Sequence, residues 1–467
     1  MRAGWGALAA AAVVAAGAAL PALCTSNAAA LKGPTRAGAK RVTTQATAQP
    51  APAANALKRW AATNGGGNAA QTPTLAQALA VATNYDLVLA TKKSFPPYLA
   101  QMRQANPAMK IVAYLNGTYA QSDQGSAYPE GWYARAADGS KVRSKKFGNY
   151  LMDPTAAGWI QNRAQTCAQY AADSGYDGCY LDMLGNATMG GTYVTAPPVN
   201  NAGQQWTRAA WIGATSKLGT AVVNANPTLL VVGNGIANGN QYFDPASGPT
   251  SLLLNGLAGA NAQGFIRSES DALTNFRPVK AWKNDVDMLA DAGARGRFVM
   301  AMTKVGRAAT ATQLQQVHRY ALASFLLGTN GTQYFYFSPN GNDDGVNAPD
   351  TPDDHVNAGM PLGPYTAQPS GAYVRSFSAG YAAVNPSSAT VTVNLPGTYV
   401  DLDGRTVQQA TLPPHTGMVF TTASTTTTTT TTTAAATTTT TTACVPRRTT
   451  TTTSRARVSR CRPRRAP

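Results

Sequence analysis

The sequence predicts an α/β chain: a (β/α)8 barrel followed by a small antiparallel β-sandwich. Three observations predict it. Short apolar, β-branched or aromatic runs alternate with longer segments of helical period, the pattern of parallel βαβ units. Eight such runs can be counted, and eight strands with helical crossovers close a barrel more readily than they make an open sheet. Beyond residue 372 the period changes to strict alternation with turn signals between, as in antiparallel strands. An open doubly wound sheet is the runner-up.

Met1-Arg2, an Ala/Val/Leu-rich run from Ala7 to Leu20 and a small-residue exit at Ser26, Asn27 and Ala28 describe a secretory signal peptide over residues 1–28. The run is too short and too Ala-rich for a membrane span, and no later segment is long and apolar enough for one. Residues 29–55 are Ala, Thr, Gln and Pro without apolar period and read as a flexible linker. The barrel is expected over 56–365. Its strands are predicted at 57–63, 85–90, 110–116, 177–183, 229–235, 263–269, 297–303 and 332–338. Helices are predicted at 74–82, 95–105, 155–174, 202–225, 274–293 and 311–327. The sandwich is expected over 366–423, with strands Tyr373–Phe377, Tyr381–Asn385, Thr390–Leu395, Tyr399–Leu402 and Met418–Thr422, and Asp403-Gly404 as a turn. Residues 424–467 turn Thr-rich and then Arg-rich. They read as an O-glycosylated stalk with a basic end, or as the product of a wrong gene model.

The net charge of +17 invites a nucleic-acid reading, so its location matters. Residues 1–60 carry seven Lys or Arg and no acid, and residues 444–467 carry eight Arg and no acid, which leaves +2 for everything between. A nucleic-acid enzyme needs its basic surface on the folded body. No nucleic-acid partner is therefore expected, although the basic tail could touch acidic cell-wall polymers. An exported, secreted, monomeric protein, with wall association through its basic tail, is the expectation. Its cysteines then meet an oxidising compartment. Cys24 leaves with the signal, Cys167 and Cys179 lie close, and Cys444 and Cys461 form another candidate pair. Four cysteines allow three pairings.

Chemistry in such a barrel sits at the carboxyl ends of the strands. The acidic inventory is sparse: of 21 acids, only Glu130 and Glu269 are glutamates. Asp182 ends the run Tyr176-Asp177-Gly178-Cys179-Tyr180-Leu181-Asp182, where burying a carboxylate is costly without a partner or a task. Alternation puts Tyr180 and Asp182 on one face and Cys179 and Leu181 on the other. If Asp182 faces the barrel mouth, Cys179 faces the helical shell and can reach Cys167. Capping of a following turn is the plainer role for Asp182. Glu269 is expected at the end of the sixth strand with Arg267 on its face, helix capping being its plainer role. Two carboxyls flanking a glycosidic bond, one protonated and one ionised, are the minimum set for hydrolysis. Their separation, about 5 Å for retention or 6.5–9.5 Å for inversion, is not legible in sequence.

Three blocks in order, Trp132-Tyr133-Ala134-Arg135-Ala136-Ala137-Asp138-Gly139, Tyr150-Leu151-Met152-Asp153-Pro154 and Gly175-Tyr176-Asp177-Gly178-Cys179-Tyr180-Leu181-Asp182, resemble the hypothetical glycosyl-hydrolase-like family fifteen. The ending Val384-Asn385-Pro386, Asp401-Leu402-Asp403-Gly404 and Leu412-Pro413-Pro414-His415-Thr416-Gly417 is similar to the β-sandwich that follows such barrels. The resemblance spans residues 57–421. It implies a (β/α)8 glycosidase acting on a polysaccharide or glycoside, with Asp182 as nucleophile or base and Glu269 as acid. The best-known retaining barrels carry an Asn-Glu pair ending strand four and a Glu ending strand seven. Here the latter end reads Met302-Thr303-Lys304, which excludes their scheme.

Sugars present apolar faces and hydroxyls, so their sites combine aromatic platforms with hydrogen-bonding groups. Candidates are Asn64, Asn116, Tyr180, Asn186, Asn234, Arg267, Lys304, Tyr336 and Ser338, with Trp132 and Tyr133 as a platform. Each alone is more often structural. His318, His355 and His415 show no metal spacing, and no cofactor motif appears, so neither metal nor cofactor is expected. His318 reads as core. The Asp343-Asp344 and Asp350 to Asp354 cluster reads as a solvated loop rather than a weak calcium site. A non-catalytic carbohydrate-binding or wall-associated barrel is the alternative function.

Overall fold

The computed structural model describes residues 54–63, 73–120, 128–246, 248–341 and 344–423. The signal peptide, most of the linker, Asn64, Cys24, Cys444, Cys461 and the Thr/Arg-rich tail lie outside these.

Eight parallel strands close a barrel in sequence order: β1 (Lys58–Ala62), β2 (Leu87–Ala90), β3 (Lys110–Asn116), β4 (Gly178–Asp182), β5 (Leu230–Asn234), β6 (Gly259–Ala262), β7 (Phe298–Lys304) and β8 (Tyr334–Ser338). The crossovers are α1 (Leu75–Asn84), α2 (Leu99–Ala105), α3 (Ala157–Ser174), α4 (Arg208–Ala225), α5 (Gly239–Phe243), α6 (Val279–Ala294) and α7 (Ala311–Gly328). Helix starts follow local chemistry. Thr74 and Thr310 accept the amides of Gln77 and Gln313, whose side chains bond back, closing capping boxes at α1 and α7. Helix α4 starts at Arg208 rather than near 202, because Thr207 accepts the Ala210 amide and ends the preceding loop.

One strand differs from expectation. The sixth is Gly259-Ala260-Asn261-Ala262, not 263–269. Its small residues have a packing reason: a Cβ on Gly259 would stand 2.2 Å from the Phe298 ring. The apolar Gly264-Phe265-Ile266 run is loop. Ile266 has φ +68, a left-handed conformation that a β-branched residue adopts only under constraint.

The barrel interior is filled by Trp60, Tyr180, Met300, Met302 and Tyr336, with Trp60 and Tyr336 centroids 5.4 Å apart. Cys179 points the other way, bonded to Cys167 of α3. The alternation read from sequence is therefore the one observed.

No α-helix follows β8 among the described residues; the segment 344–365, with one short 3-10 turn at Pro352–His355, leads from the barrel to the next strands. Asp353 and Asp354 in that segment are buried rather than solvated. Asp353 pairs with Arg319, and Asp354 lies against His318 and Arg59, so these acids tie α7 and β1 together. A six-stranded antiparallel sheet follows: β9 (Thr366–Ala367), β10 (Tyr373–Phe377), β11 (Gly380–Asn385), β12 (Val391–Asp401), β13 (Thr406–Leu412) and β14 (Thr416–Thr422), in order β13-β12-β14-β11-β10-β9. The two predicted runs at 390–402 are one strand, irregular between Asn394 and Tyr399. Ala382, Val384 and Val419 pack toward α7. Tyr381, Ala383 and Phe420 cluster with Val391, Val393 and Leu412 of the same sheet in a separate apolar core. No helix among the described residues is long and apolar enough to cross a membrane.

Candidate active site

A cavity of about 870 Å³ opens at the carboxyl ends of β4 to β7. Its wall includes Met183, Asn186 and Tyr193 from the loop after β4, and Asn234, Asn238 and Gln241 from β5 and beyond. Gln263, Ser268 and Glu269 from the loop after β6, Lys304 at the end of β7 and Arg307 beyond it complete the wall.

Asp182, the last residue of β4, stands beside it, half-buried. Tyr114 donates to its Oδ2 at 2.8 Å, and Asn234 Nδ2 and the Met183 amide each donate to Oδ1 at 2.8 Å. The last bond requires an abrupt turn, and Met183 has φ +64. Ala237 (φ +63) and Ile266 lie in the two loops that face it. Strained non-glycine backbone thus gathers at this mouth, as it does where function over-determines structure.

Glu269 lies in the loop after β6, seven residues beyond the strand end, and lines the cavity with its side chain 54% exposed. Its Oε2 is 3.6 Å from Lys304 Nζ, an almost fully buried ammonium at the end of β7. Below the loop, Asp285 of α6 is fully buried. It accepts the amides of Gly239 (2.7 Å) and Ile266 (3.1 Å) and pairs with Arg277, which also donates to the Gly264 carbonyl. Burial pushes the Asp285 carboxyl up, against the pull of Arg277 and the two amides. One carboxylate therefore pins two loops of the cavity.

Of the sequence-predicted residues, Asn186, Asn234, Glu269 and Lys304 line the cavity, and Asp182 adjoins it through Asn234 and Met183. Asn116 pairs in register with Asp182 but spends its side-chain oxygen on the amides of Thr118 and Tyr119. Tyr180 is buried under the floor and accepts a bond from Asn261. Arg267 is buried behind the loop, donating to the Asp271 carbonyl. Tyr336 packs on Trp60 in the barrel, and Trp132 packs against Tyr128; neither lines the cavity. Ser338 is buried at the end of β8, and Tyr133 packs edge-on against Tyr150. Sequence reading missed Tyr114, Tyr193, Gln241, Gln263 and Arg307. Only Tyr114 carried a signal, since it sits two residues before Asn116 and so shares its face.

A family model described as hypothetical glycosyl hydrolase family 15 matches residues 103–381. The chain belongs to that family. By family it is a glycosidase, with a carbohydrate as substrate class. Among solved structures it is similar to the glycoside hydrolase domain of PelA from Pseudomonas aeruginosa. That match has 16% identity, covers 61% of this chain and 94% of that one, and has a TM-score of 0.38. It is also similar to the noncanonic maltogenic alpha-amylase AmyB from Thermotoga neapolitana, at 10% identity, 78% and 99% coverage and a TM-score of 0.48. No curated protein matches the chain.

Proposed function

We propose that the chain is an exported glycosidase that hydrolyses a polysaccharide or glycoside with Asp182 and Glu269 as its carboxylate pair. The observation that supports this reading is that Glu269, its side chain more than half exposed, lines a cavity that Asp182, held by three donors, adjoins through Asn234 and Met183. A carboxylate fixed as an acceptor suits the ionised partner, which attacks the anomeric carbon or takes a proton from the attacking water. Glu269 protonates the departing oxygen. Lys304 then stands beside the carboxylate left behind and stabilises its charge. Asn186, Asn234, Gln241 and Gln263 offer the mixed donors and acceptors that sugar hydroxyls require. Export agrees with the charged, apolar start of the chain and with the Cys167–Cys179 bond, which persists in oxidising compartments.

A screen of polysaccharides and aryl glycosides compares wild type with Asp182→Asn and Glu269→Gln. Asp182→Asn loses about 10²–10⁴-fold in turnover on every substrate. Glu269→Gln loses as much on natural linkages but little on aryl glycosides with acidic leaving groups, which depart without a proton. Equal turnover in Asp182→Asn and wild type defeats the mechanism. Binding without turnover by wild type on every substrate would favour a carbohydrate-binding barrel.

A further inference from the structure

We infer that the glycan is polyanionic, and that a basic hairpin beside the cleft binds its acidic groups. This deepens the hydrolase reading and rests on it for the polymer being a glycan. The residues between β3 and α3 include a hairpin whose tip carries Arg143, Lys145, Lys146 and Phe147, all exposed. It is bonded edge to edge to the loop after β4. Lys145 donates its amide to the Tyr193 carbonyl at 2.8 Å, Arg143 its amide to Thr195 Oγ1 at 3.0 Å, and Ser144 bridges Val194. Tyr193 lines the main cavity. Gly190 and Pro198 of the same loop line an adjoining recess of about 310 Å³, which shares Asn186 and Gln241 with it and contains Trp206 and Arg208. The hairpin is thus one strand behind the wall of a continuous groove.

Apart from Asp182 and Glu269, the second of which lies beside Lys304, the charges in and around this groove are basic. Among the described residues, Arg143, Lys145, Lys146, Arg208 and Arg307 have no carboxylate partner, although Arg143 donates to the Tyr150 hydroxyl and lies over its ring, Lys145 reaches the Gly191 carbonyl and Arg307 the Ser270 carbonyl. Glu130 is already taken by Arg135 and Lys141. On a body that is otherwise near neutral, unpaired cations along a groove raise the local concentration of an anionic chain. The amide-rich lining between them fits hydroxyls rather than stacked bases. Carboxylate of a uronic acid and sulfate ester share the chemistry that the cations recognise.

The test uses full-length Asp182→Asn protein, so that binding is read without hydrolysis, and three probes: polygalacturonate, dextran sulfate and neutral dextran. Affinity electrophoresis in each gel compares it with the same protein carrying R143E, K145E and K146E, and with a milder K145Q/K146Q form; circular dichroism checks that each is folded. Polygalacturonate, dextran sulfate or both should retard the parent at least tenfold more strongly than dextran, and the effect should fall with added salt. The hairpin substitutions should remove most of it, and Arg208→Gln should weaken it further. Retardation unchanged by the hairpin substitutions would assign it to the Arg-rich end and overturn the inference. So would equal retardation by dextran, or a DNA duplex displacing the glycan at equal charge. Failure of the hydrolase reading is seen separately, as absent turnover in wild type with this binding pattern intact.

Discussion

Tyr114 donates its hydroxyl to Asp182 Oδ2 at 2.8 Å, across strands whose register sets Tyr114 beside Tyr180 and Asn116 beside Asp182. Burial, and then the Asp182 charge, push the Tyr114 hydroxyl well above its ordinary range, so it remains a donor throughout neutral and mildly alkaline pH. A hydrogen bond to a charged group contributes about 1.5–3 kcal/mol, so Tyr114→Phe should lower kcat/KM by roughly 10- to 100-fold. Any alkaline limb below pH 10 should persist in the variant. Its disappearance in a kcat/KM profile would mean that Tyr114 itself titrates there.

Asp285 is the buried fastener of the two loops that carry Asn238 and Glu269. Asp285→Asn leaves the Arg277 guanidinium without its counter-charge and weakens acceptance from Gly239 and Ile266. Breaking a buried pair on one side costs about 3–5 kcal/mol, to be read as a lowered denaturant midpoint. A loss below 1 kcal/mol would show that the loops hold themselves.

How much of this was legible follows from where each signal lives. Seven barrel strands are apolar or β-branched runs that sequence displays directly. The sixth is Gly-Ala-Asn-Ala, small because Phe298 occupies the space above Gly259, and nothing local announces that neighbour. Asp182 was legible because a carboxylate ending an apolar strand is locally anomalous. For Tyr114 only the strand face it shares with Asn116 was legible; its role was not, because that depends on the β3–β4 register. Arg307 sits in a loop, where position is set by contacts distant in sequence. Asp353 and Asp354 looked solvated because the arginines that bury them are Arg59 and Arg319, nearly three hundred and over thirty residues away.

Asp354 governs an acid limb of stability. Burial raises its carboxyl, but the His318 ring at 3.1 Å, Arg59 and the Thr351 hydroxyl outweigh this and hold it at about 2. The folded value is depressed, so the stabilisation is complete above pH 4 and is lost as pH falls from about 4 toward 2. It amounts to about 2 kcal/mol. Asp354→Asn should remove this part of the acid dependence in chemical denaturation run between pH 2 and 6. An unchanged slope would assign the acid limb elsewhere.

The disulfide from α3 to β4 closes a loop with a sequence separation of 12 directly before Asp182. Loop closure of this size stabilises by about 2–3 kcal/mol on the chain-entropy account. A Cys167→Ser, Cys179→Ser variant should therefore unfold at lower denaturant while keeping wild-type kcat at 25 °C, since the strand remains packed on both sides. Loss of kcat without loss of stability would instead make the bond part of the positioning of Asp182.

Glu269 offers the sharpest test, because glycines make its room. A Cβ on Gly306 would meet Glu269 Cγ at 2.6 Å and its carbonyl oxygen at 3.0 Å. The Gly306 amide also donates to that carbonyl at 3.1 Å, so the contact is fixed from the backbone side. Gly306→Ala must displace the Glu269 side chain, and the close approach to the Glu269 carbonyl adds some cost in stability. Misplacing a reacting group by about 1 Å can cost about 10²-fold. The expected outcome is a loss of that order in kcat on natural glycosidic linkages, a melting temperature lowered only slightly, and near-normal turnover of aryl glycosides whose leaving group departs unprotonated. If the loss is equal on both substrate types, the methyl has blocked the cavity rather than moved an acid. If there is no loss at all, proton donation does not come from Glu269 as it stands beside Lys304.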